Sequence, residues 1–160
     1  DSARLTMELQ KLALHAESSG EARISASSVE SLIEGLSTNA LQVGDALLTG
    51  DPGKAIALLD ALNDAGEPAL RIVATLTGQI RGWLWVLLLE QQGERDVGVI
   101  AKAAGIGNPK RIYVMRKQLQ GRSPQRCLNL LSRLLDVEAA LKRGAQPGDA
   151  FRDGLLGAAQ

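Results

Sequence analysis

The sequence is poor in the residues that build metal centres and enzyme active sites. It contains one His and one Cys among 160 residues, whereas a zinc site needs four ligands, or three and a water molecule. The single Cys127 cannot form an internal disulfide bond, which is typical of proteins of a reducing cytoplasm. A GxxxxGK[ST] phosphate-binding loop is also absent. We therefore predict no metal, no cofactor and no catalytic site in this chain.

Aromatic residues and long apolar runs are scarce as well. Aromatics make up only 2% of the chain, so the core has to be built from Leu, Ala, Ile and Val, which suit closely packed helices. The longest strongly apolar run, residues 83–89, falls short of the roughly 20 residues that span a bilayer. The chain begins at Asp1 without a Met or a signal-like segment. We expect a cytoplasmic piece of a longer protein that does not contact a membrane.

The zero net charge conceals a separation of charge along the chain. Residues 1–96 contain seven Lys and Arg against fourteen Asp and Glu, a net charge of −7. Residues 97–160 contain eleven Lys and Arg against four Asp and Glu, a net charge of +7. Such polarity suits a protein that packs beside similar subunits, or one that turns a basic surface toward an acidic partner.

Apolar residues recur at helical spacing, and no segment alternates with the period of two that marks a strand. We therefore predict an all-α bundle of nine helices. Pro and Gly residues mark several helix boundaries, as in Asp51-Pro52, Ser123-Pro124 and Gly50. Two helices precede residue 38, and the others cover about residues 39–49, 52–66, 68–92, 97–104, 109–120 and 124–143, with a last helix that carries Phe151, Leu155 and Leu156.

Two of these helices have apolar patterns that predict their buried faces. In helix 68–92 one stripe runs through Trp83, and beyond Gly82 the helix is apolar around its whole circumference, which indicates burial on more than one side. Gly78 and Gly82, four residues apart, would let another backbone approach closely. In helix 124–143 we expect five leucines to point inward: Leu128, Leu131, Leu134, Leu135 and Leu141.

Four ordered segments carry a resemblance to a known family. They read MELQKLAL (residues 7–14), ISASSVESLI (24–33), NALQVGDALLTGDPGKAIALLDAL (39–62), and VIAKAAGIGNP with LLDVEAALKRG (99–109 and 134–144). In this order and spacing they resemble the C-terminal part of the delta subunit of bacterial DNA polymerase III, a clamp-loader subunit. The sequence departs from the family pattern at Ser28, usually acidic, and at Gly44, which lies inside a helix.

The resemblance implies a fold, a set of partners and a role. Residues 1–37 would be the end of the AAA+-like lid domain, and residues 38–160 the helical collar domain through which subunits assemble into a ring. That ring loads the sliding clamp onto primed DNA, and its other members are of the gamma/tau and delta-prime types. Contact with the clamp itself belongs to an N-terminal domain that this sequence does not contain. The resemblance implies a non-catalytic subunit of a holoenzyme with DNA-directed DNA polymerase activity.

Trp85, Leu88 and Leu89 are candidates for a subunit interface. Successive residues on a helix point about 100° apart, so Trp83 and Trp85 cannot both enter one core. Trp83 lies on the main apolar stripe, and we predict that it is buried. Trp is enriched at interface hot spots, so Trp85 with its two leucine neighbours could contact another subunit. Alternatively, the last helices of the chain cover it, and the sequence leaves both possibilities open.

The basic residues around the two short helices suggest a second possibility. Residues 97–120 resemble a helix-turn-helix unit, in which cationic side chains would contact phosphates. The candidates for contact with nucleic acid or with an acidic partner are Lys102, Lys110, Arg111, Arg116 and Lys117. The turn contains Gly107-Asn108-Pro109, and the second helix lacks a convincing set of base-reading side chains. We therefore expect non-specific contact with nucleic acid, or contact with an acidic neighbour, rather than sequence-specific reading.

His15 and Cys127 are the remaining residues whose side chains could carry chemistry. His15 lies on a helix whose apolar face runs through Leu12 and Ala16, and nothing in the sequence pairs with it as a ligand or a general base. We interpret it as a structural or solvated helix residue. Cys127 stands near the start of a long helix, and we interpret it as a small, partly buried side chain.

Overall fold

The computed structural model describes residues 6–7 and 39–156. Within residues 39–156 it contains seven helices and no strand, as the apolar spacing predicts. Helix α1 covers residues 39–49. The other six are α2 (Pro52–Asp64), α3 (Ala69–Gln91), α4 (Val97–Ala104), α5 (Arg111–Gln118), α6 (Pro124–Lys142) and α7 (Pro147–Leu155). The two helices predicted before residue 38, the proposed lid segment and His15 lie outside the described residues.

The boundary between α1 and α2 follows from local chemistry. Gly50 takes a φ of 78°, in the left-handed region that ends a helix and that favours glycine. The carboxylate of Asp51 then accepts a hydrogen bond from the Lys54 backbone N–H at 3.1 Å, and Pro52 occupies the first turn. A helix ends and the next begins within two residues because both caps are encoded there.

Helix α3 is the centre of the bundle. Eight of its residues are buried, including Ile72, Leu76, Ile80 and Trp83, and it packs against α4, α5 and α6. Helix α7 closes the structure by packing against α6 and α2. The prediction that Trp83 lies in the core is confirmed, since its relative exposure is 2%.

By length and composition alone, α3 could cross a membrane, since its mean hydropathy is 1.5. The central helix of a helical bundle passes the same test, and α3 occupies that position here.

The prediction for the buried face of α6 is correct for three of its five leucines. Leu134 is buried, and Leu131 and Leu141 are partly buried against the core, but Leu128 and Leu135 are 47% and 65% exposed. Cys127, Leu130 and Val137 are also buried on this helix. Both faces of α6 carry leucines, so the apolar pattern is nearly symmetric, and the contacts with α3 and α7 decide which face is buried.

The end of α3 is buried on more than one side, as its apolar composition predicts. Val86 and Leu87 are buried, and Leu89 is partly buried against the core. The burial does not extend around the whole helix, because Trp85 and Leu88 are exposed. A folded protein still exposes many apolar side chains, and Leu156 after α7 is another, at 48% exposed.

Candidate interaction surfaces

Two of the three predicted interface residues on α3 are exposed. Trp85 is 43% exposed and Leu88 is 37% exposed. Leu89 is partly buried and packs against the core, so it contributes less surface. Trp85 lies two residues after the buried Trp83 on a continuous helix, and the 100° step between successive residues carries it away from the core. The sequence left open whether the last helices cover Trp85. Within the described residues they do not bury it, since it is 43% exposed.

Val99 on α4 is an exposed apolar residue that the sequence analysis missed. It is 49% exposed, and α4 packs directly against α3. Ile100 and Ala101 form the buried face of this short helix, and Val99 lies outside that face. Trp85 and Leu88 are three residues apart and therefore neighbours on the surface of α3, and we call these two residues the apolar surface.

The basic candidates lie on α4, on α5 and in the turn between them. From residue 97 to residue 135 there are eight Lys and Arg residues and no Asp or Glu. Four of the five candidates, Lys102, Lys110, Arg111 and Lys117, are exposed. This stretch therefore presents positive charge to solvent with no carboxylate of its own to neutralise it.

Arg116, the fifth candidate, is engaged inside the fold. Its Nε forms a salt bridge with Oε1 of Glu90 on α3, and its Nη2 donates to the carbonyl oxygen of Arg95 at 3.3 Å. The guanidinium also lies 5.9 Å from the centre of the Tyr113 ring. Arg116 thus joins α5 to α3, which makes it a poor candidate for contact with an external partner.

The geometry of α4 and α5 departs from a helix-turn-helix unit. Residues 105–110 connect them, whereas the turn of that motif has 3–4 residues. Helix α5 has eight residues, and its exposed positions include the apolar Tyr113 and Val114, which are 55% and 61% exposed. Apolar groups among the cations suit a protein partner better than the grooves of DNA.

The charge that is separated along the sequence is partly recombined in space. Arg152 on α7 lies 2.7 Å from Asp60 on α2, and Arg116 pairs with Glu90. Both pairs join a cation of the basic part to an anion of the acidic part. At these two points the fold brings the separated charges back together.

A polar cluster joins α1 to α3 and α5. Gln79 Nε2 donates to the carbonyl oxygen of Leu41 at 2.9 Å and to Asp45 Oδ1 at 3.3 Å, and Gln118 Nε2 donates to the same Oδ1 at 3.2 Å. Burial raises the pKa of Asp45, an effect that the Gln118 hydrogen bond and the charge of Lys54 oppose. Both cluster bonds to Asp45 come from side-chain amides, so the arrangement joins helices rather than supplying a base.

Gly44, the residue that departs from the family pattern, is explained by this cluster. A Cβ at position 44 would lie 1.7 Å from Gln79 Oε1. Only a residue without a side chain lets the Gln79 amide pass between α1 and α3 to reach Leu41 and Asp45.

Two adjoining open clefts cross the surface of α3. The larger, about 530 Å³, lies between α1, α3, α5 and residues 104–106. The smaller, about 300 Å³, is lined by Arg81, Trp85 and Ala103. Both clefts share Gly78, Ala104 and Gly105.

A third cleft of about 200 Å³ between α6 and α7 is lined by Asp136, Asp149 and Asp153 together with Arg133. No group of three or more His, Cys, Asp or Glu residues within the described chain has the arrangement needed to hold a metal ion.

Cys127 is more deeply buried than expected. Its relative exposure is 0%, and burial raises the pKa of the thiol to about 11. Since the thiolate is the reactive form, a thiol with so high a pKa is a poor nucleophile at neutral pH. Cys127 acts here as a small apolar residue of the core.

Residues 39–156 thus form an all-helical domain whose distinctive features are exposed surfaces and open clefts. A family model supplies the identification: residues 37–151 match the DNA polymerase III delta subunit, C-terminal domain. The chain belongs to this family, as the ordered segments of the sequence predict. Membership indicates a non-catalytic component of the clamp loader within the polymerase holoenzyme. Comparison with curated proteins and with solved structures found no match.

Proposed function

We propose that residues 38–160 are the collar domain of a clamp-loader delta subunit, and that residues 1–37 are the end of its lid domain. The collar packs beside subunits of the gamma/tau and delta-prime types, in a cytoplasmic AAA+ ring that loads the sliding clamp during DNA replication. Its own work is positional: it holds the clamp-opening part of the subunit in register with the ATP-hydrolysing neighbours.

The observation that carries this proposal is the exposed Trp85 on the central helix. Trp85 and Leu88 are exposed on α3, and α3 packs against α4, α5 and α6. A subunit bound at this surface would therefore contact the helix that connects most of the bundle. A few residues near the centre of an interface contribute most of its binding free energy, and Trp is among the residue types enriched there. The apolar surface is therefore the proposed binding site for the neighbouring subunit.

A matched pair of variants tests this assignment. Leu88→Asp places a charge in the apolar surface, whereas Leu135→Asp places the same charge on a leucine of α6 that is also exposed, at 65% against 37% for Leu88. Assembly is measured by size-exclusion chromatography and calorimetry with purified gamma/tau-type and delta-prime-type subunits. We expect Leu88→Asp and Trp85→Ala to weaken binding by at least about 30-fold, the effect of a hot spot of ~2 kcal/mol.

Circular dichroism shows whether each variant is folded. The assignment is wrong if folded Leu88→Asp and Trp85→Ala assemble like the wild type, or if Leu135→Asp alone prevents assembly.

A second candidate function is nucleic-acid binding by α4 and α5. The observation in its favour is the run of eight cations without an anion between residues 97 and 135. Non-specific binding of this kind comes from phosphate contacts, so it should weaken steeply between low and physiological salt and should not survive competitor DNA.

Charge reversal separates the two functions. Lys110→Glu, Arg111→Glu and Lys117→Glu change exposed side chains, and they should abolish duplex binding in a salt titration while assembly is retained. Arg116 is left unchanged because its salt bridge to Glu90 belongs to the fold. If the three reversals left duplex binding unchanged, α4 and α5 would not be the site that binds nucleic acid.

A further inference from the structure

The two adjoining clefts on α3 form one groove, which we call the α3 groove. The larger cleft follows α3 from Ala74 to Trp83, and this stretch of helix is about 14 Å long at 1.5 Å per residue. Its volume of about 530 Å³ lies within the 300–1,000 Å³ that is usual for binding clefts. The groove is therefore long enough for two to three turns of a helix, at about 5.4 Å per turn.

The floor of the groove is made of small residues, and part of it is uncovered. A Cβ built at Gly78 has no atom of the described residues within 4 Å, so within this part of the chain the position faces open space. Gly82, one turn further on, is already covered, since Met115 Cε lies 3.6 Å from its ideal Cβ position. The open part of the floor is thus centred on Gly78.

The walls of the groove are apolar and cationic. Leu41 and Val114 line the larger cleft and are 37% and 61% exposed. Arg111 stands at its edge and Arg81 at the edge of the smaller cleft, and both are exposed. Among the described residues, one carboxylate lines either cleft, that of Asp45, and it already accepts hydrogen bonds from Gln79 and Gln118. An occupant with apolar groups and negative charge would complement this surface.

We propose that the α3 groove docks an acidic amphipathic helix of a partner protein. The apolar side chains of that helix lie over Gly78, and its carboxylates face Arg81 and Arg111. Docking of an amphipathic helix into an apolar groove is a recurring mode of peptide recognition. A nucleic acid is less suited, because the exposed apolar side chains of Leu41 and Val114 line the groove beside Arg81 and Arg111 and would find no partner on a phosphate backbone. Trp85 belongs to the apolar surface and also lines the smaller cleft, so the docked helix and the neighbouring subunit would meet at this residue.

Labelled synthetic peptides of about three turns, or ~11 residues, test the proposal. One carries Leu on one face and Glu elsewhere, the second has Lys in place of Glu, and the third has Ala in place of Leu. Binding to the full chain is measured by fluorescence anisotropy at low salt. We expect the acidic Leu peptide to bind at least tenfold more tightly than either of the others, and to weaken as salt is added.

Gly78→Leu is the blocking variant and Gly53→Leu is its control. Both positions are helical glycines whose ideal Cβ has no atom closer than 3.9 Å, but only Gly78 lines the groove. We expect Gly78→Leu to lower the affinity for the acidic peptide at least tenfold and Gly53→Leu to leave it unchanged. Replacing Gly within a helix removes an entropic cost of folding, so both variants should melt at or above the wild-type temperature.

The double variant Arg81→Glu and Arg111→Glu tests the charges separately from the shape. We expect this variant to bind the basic peptide more tightly than the acidic one. Equal binding of both peptides to the wild type would overturn the proposal, as would full binding to Gly78→Leu. A duplex oligonucleotide that displaces the acidic peptide from the wild type, and that itself fails to bind Gly78→Leu, would assign the groove to nucleic acid instead.

Discussion

The guanidinium of Arg126 donates a hydrogen bond from Nε to the carbonyl oxygen of Leu48 over 3.0 Å, across 78 positions of the sequence. Its Nη2 also donates to the carbonyl oxygen of Leu47 at 3.2 Å. These carbonyls belong to the last turn of α1, where backbone acceptors have no partner within the helix. Arg126 therefore joins the start of α6 to the end of α1 and places a positive charge at the negative end of the helix dipole.

Arg126→Ala should lower the free energy of unfolding by about 1.5–3 kcal/mol, the usual contribution of hydrogen bonds to a charged group. Urea denaturation followed by circular dichroism measures the change. Arg143→Ala is the matched control, because Arg143 is exposed at the end of α6 and its loss should cost less than about 0.5 kcal/mol. Equal stability of the two variants would show that the α1 cap contributes nothing.

The buried face of α6 can be tested with adjacent leucines. Leu134 is 1% exposed and Leu135 is 65% exposed. Leu134→Ala should cost about 2–5 kcal/mol through lost burial and a cavity, whereas Leu135→Ala should change stability by less than about 0.5 kcal/mol. Chemical denaturation of both variants gives the comparison. The opposite order would mean that α6 is rotated relative to the structure described above.

Close approach of α6 and α7 depends on the absence of a side chain at Gly154. A Cβ there would lie 2.3 Å from Val137 Cγ2. Gly154→Ala should therefore destabilise the protein by about 1–3 kcal/mol through overpacking, although alanine is the better helix former. Adding Val137→Ala removes the clashing methyl groups, so a double-mutant cycle should show favourable coupling of about 0.5–3 kcal/mol.

Helical glycines with and without a neighbour provide the control for that variant. Gly78→Ala meets no atom within 4 Å and should stabilise the protein by up to about 1 kcal/mol. If Gly154→Ala proved as stable as Gly78→Ala, the two helices would have to be further apart than the structure places them.

Asp45→Asn should change how stability depends on pH. Burial raises the pKa of Asp45 in the folded protein, so ionisation of this carboxyl opposes folding. The protonated form of Asp45 is therefore the one that favours the folded state. This contribution to stability is complete in acid, below the pKa of the unfolded chain, and is lost as the pH rises through the raised pKa of the folded protein. The uncharged Asn keeps an oxygen that can accept from Gln79 and Gln118.

Thermal denaturation of the wild type and of Asp45→Asn, at acid and at neutral pH, measures the effect. At neutral pH, Asp45→Asn should melt above the wild type by no more than about 2–4 °C, the shift for ~1 kcal/mol in a protein of this size. In acid the difference should vanish. A variant that melts below the wild type at neutral pH would show that the carboxylate charge supports the cluster.

Helix boundaries were predictable because their causes are local. The cap at Asp51, the proline at position 52 and the glycines at positions 50 and 105 act through the backbone of their immediate neighbours. The family was predictable as well, because four segments retain their order and spacing along the chain. The candidate apolar residues Trp85 and Leu88 followed from one step of helical geometry.

What the sequence by itself determined about this protein is its all-helical class, most of its helix ends, the burial of Trp83 and its family. Only the tertiary structure decided which leucines of α6 face the core, that Arg116 is bound to Glu90, and that Gly78 lies open in a groove while Gly82 is covered. The physical reason is the distance along the chain over which each interaction acts. Caps and turns act over about four residues, whereas these outcomes depend on side chains brought together from distant parts of the chain.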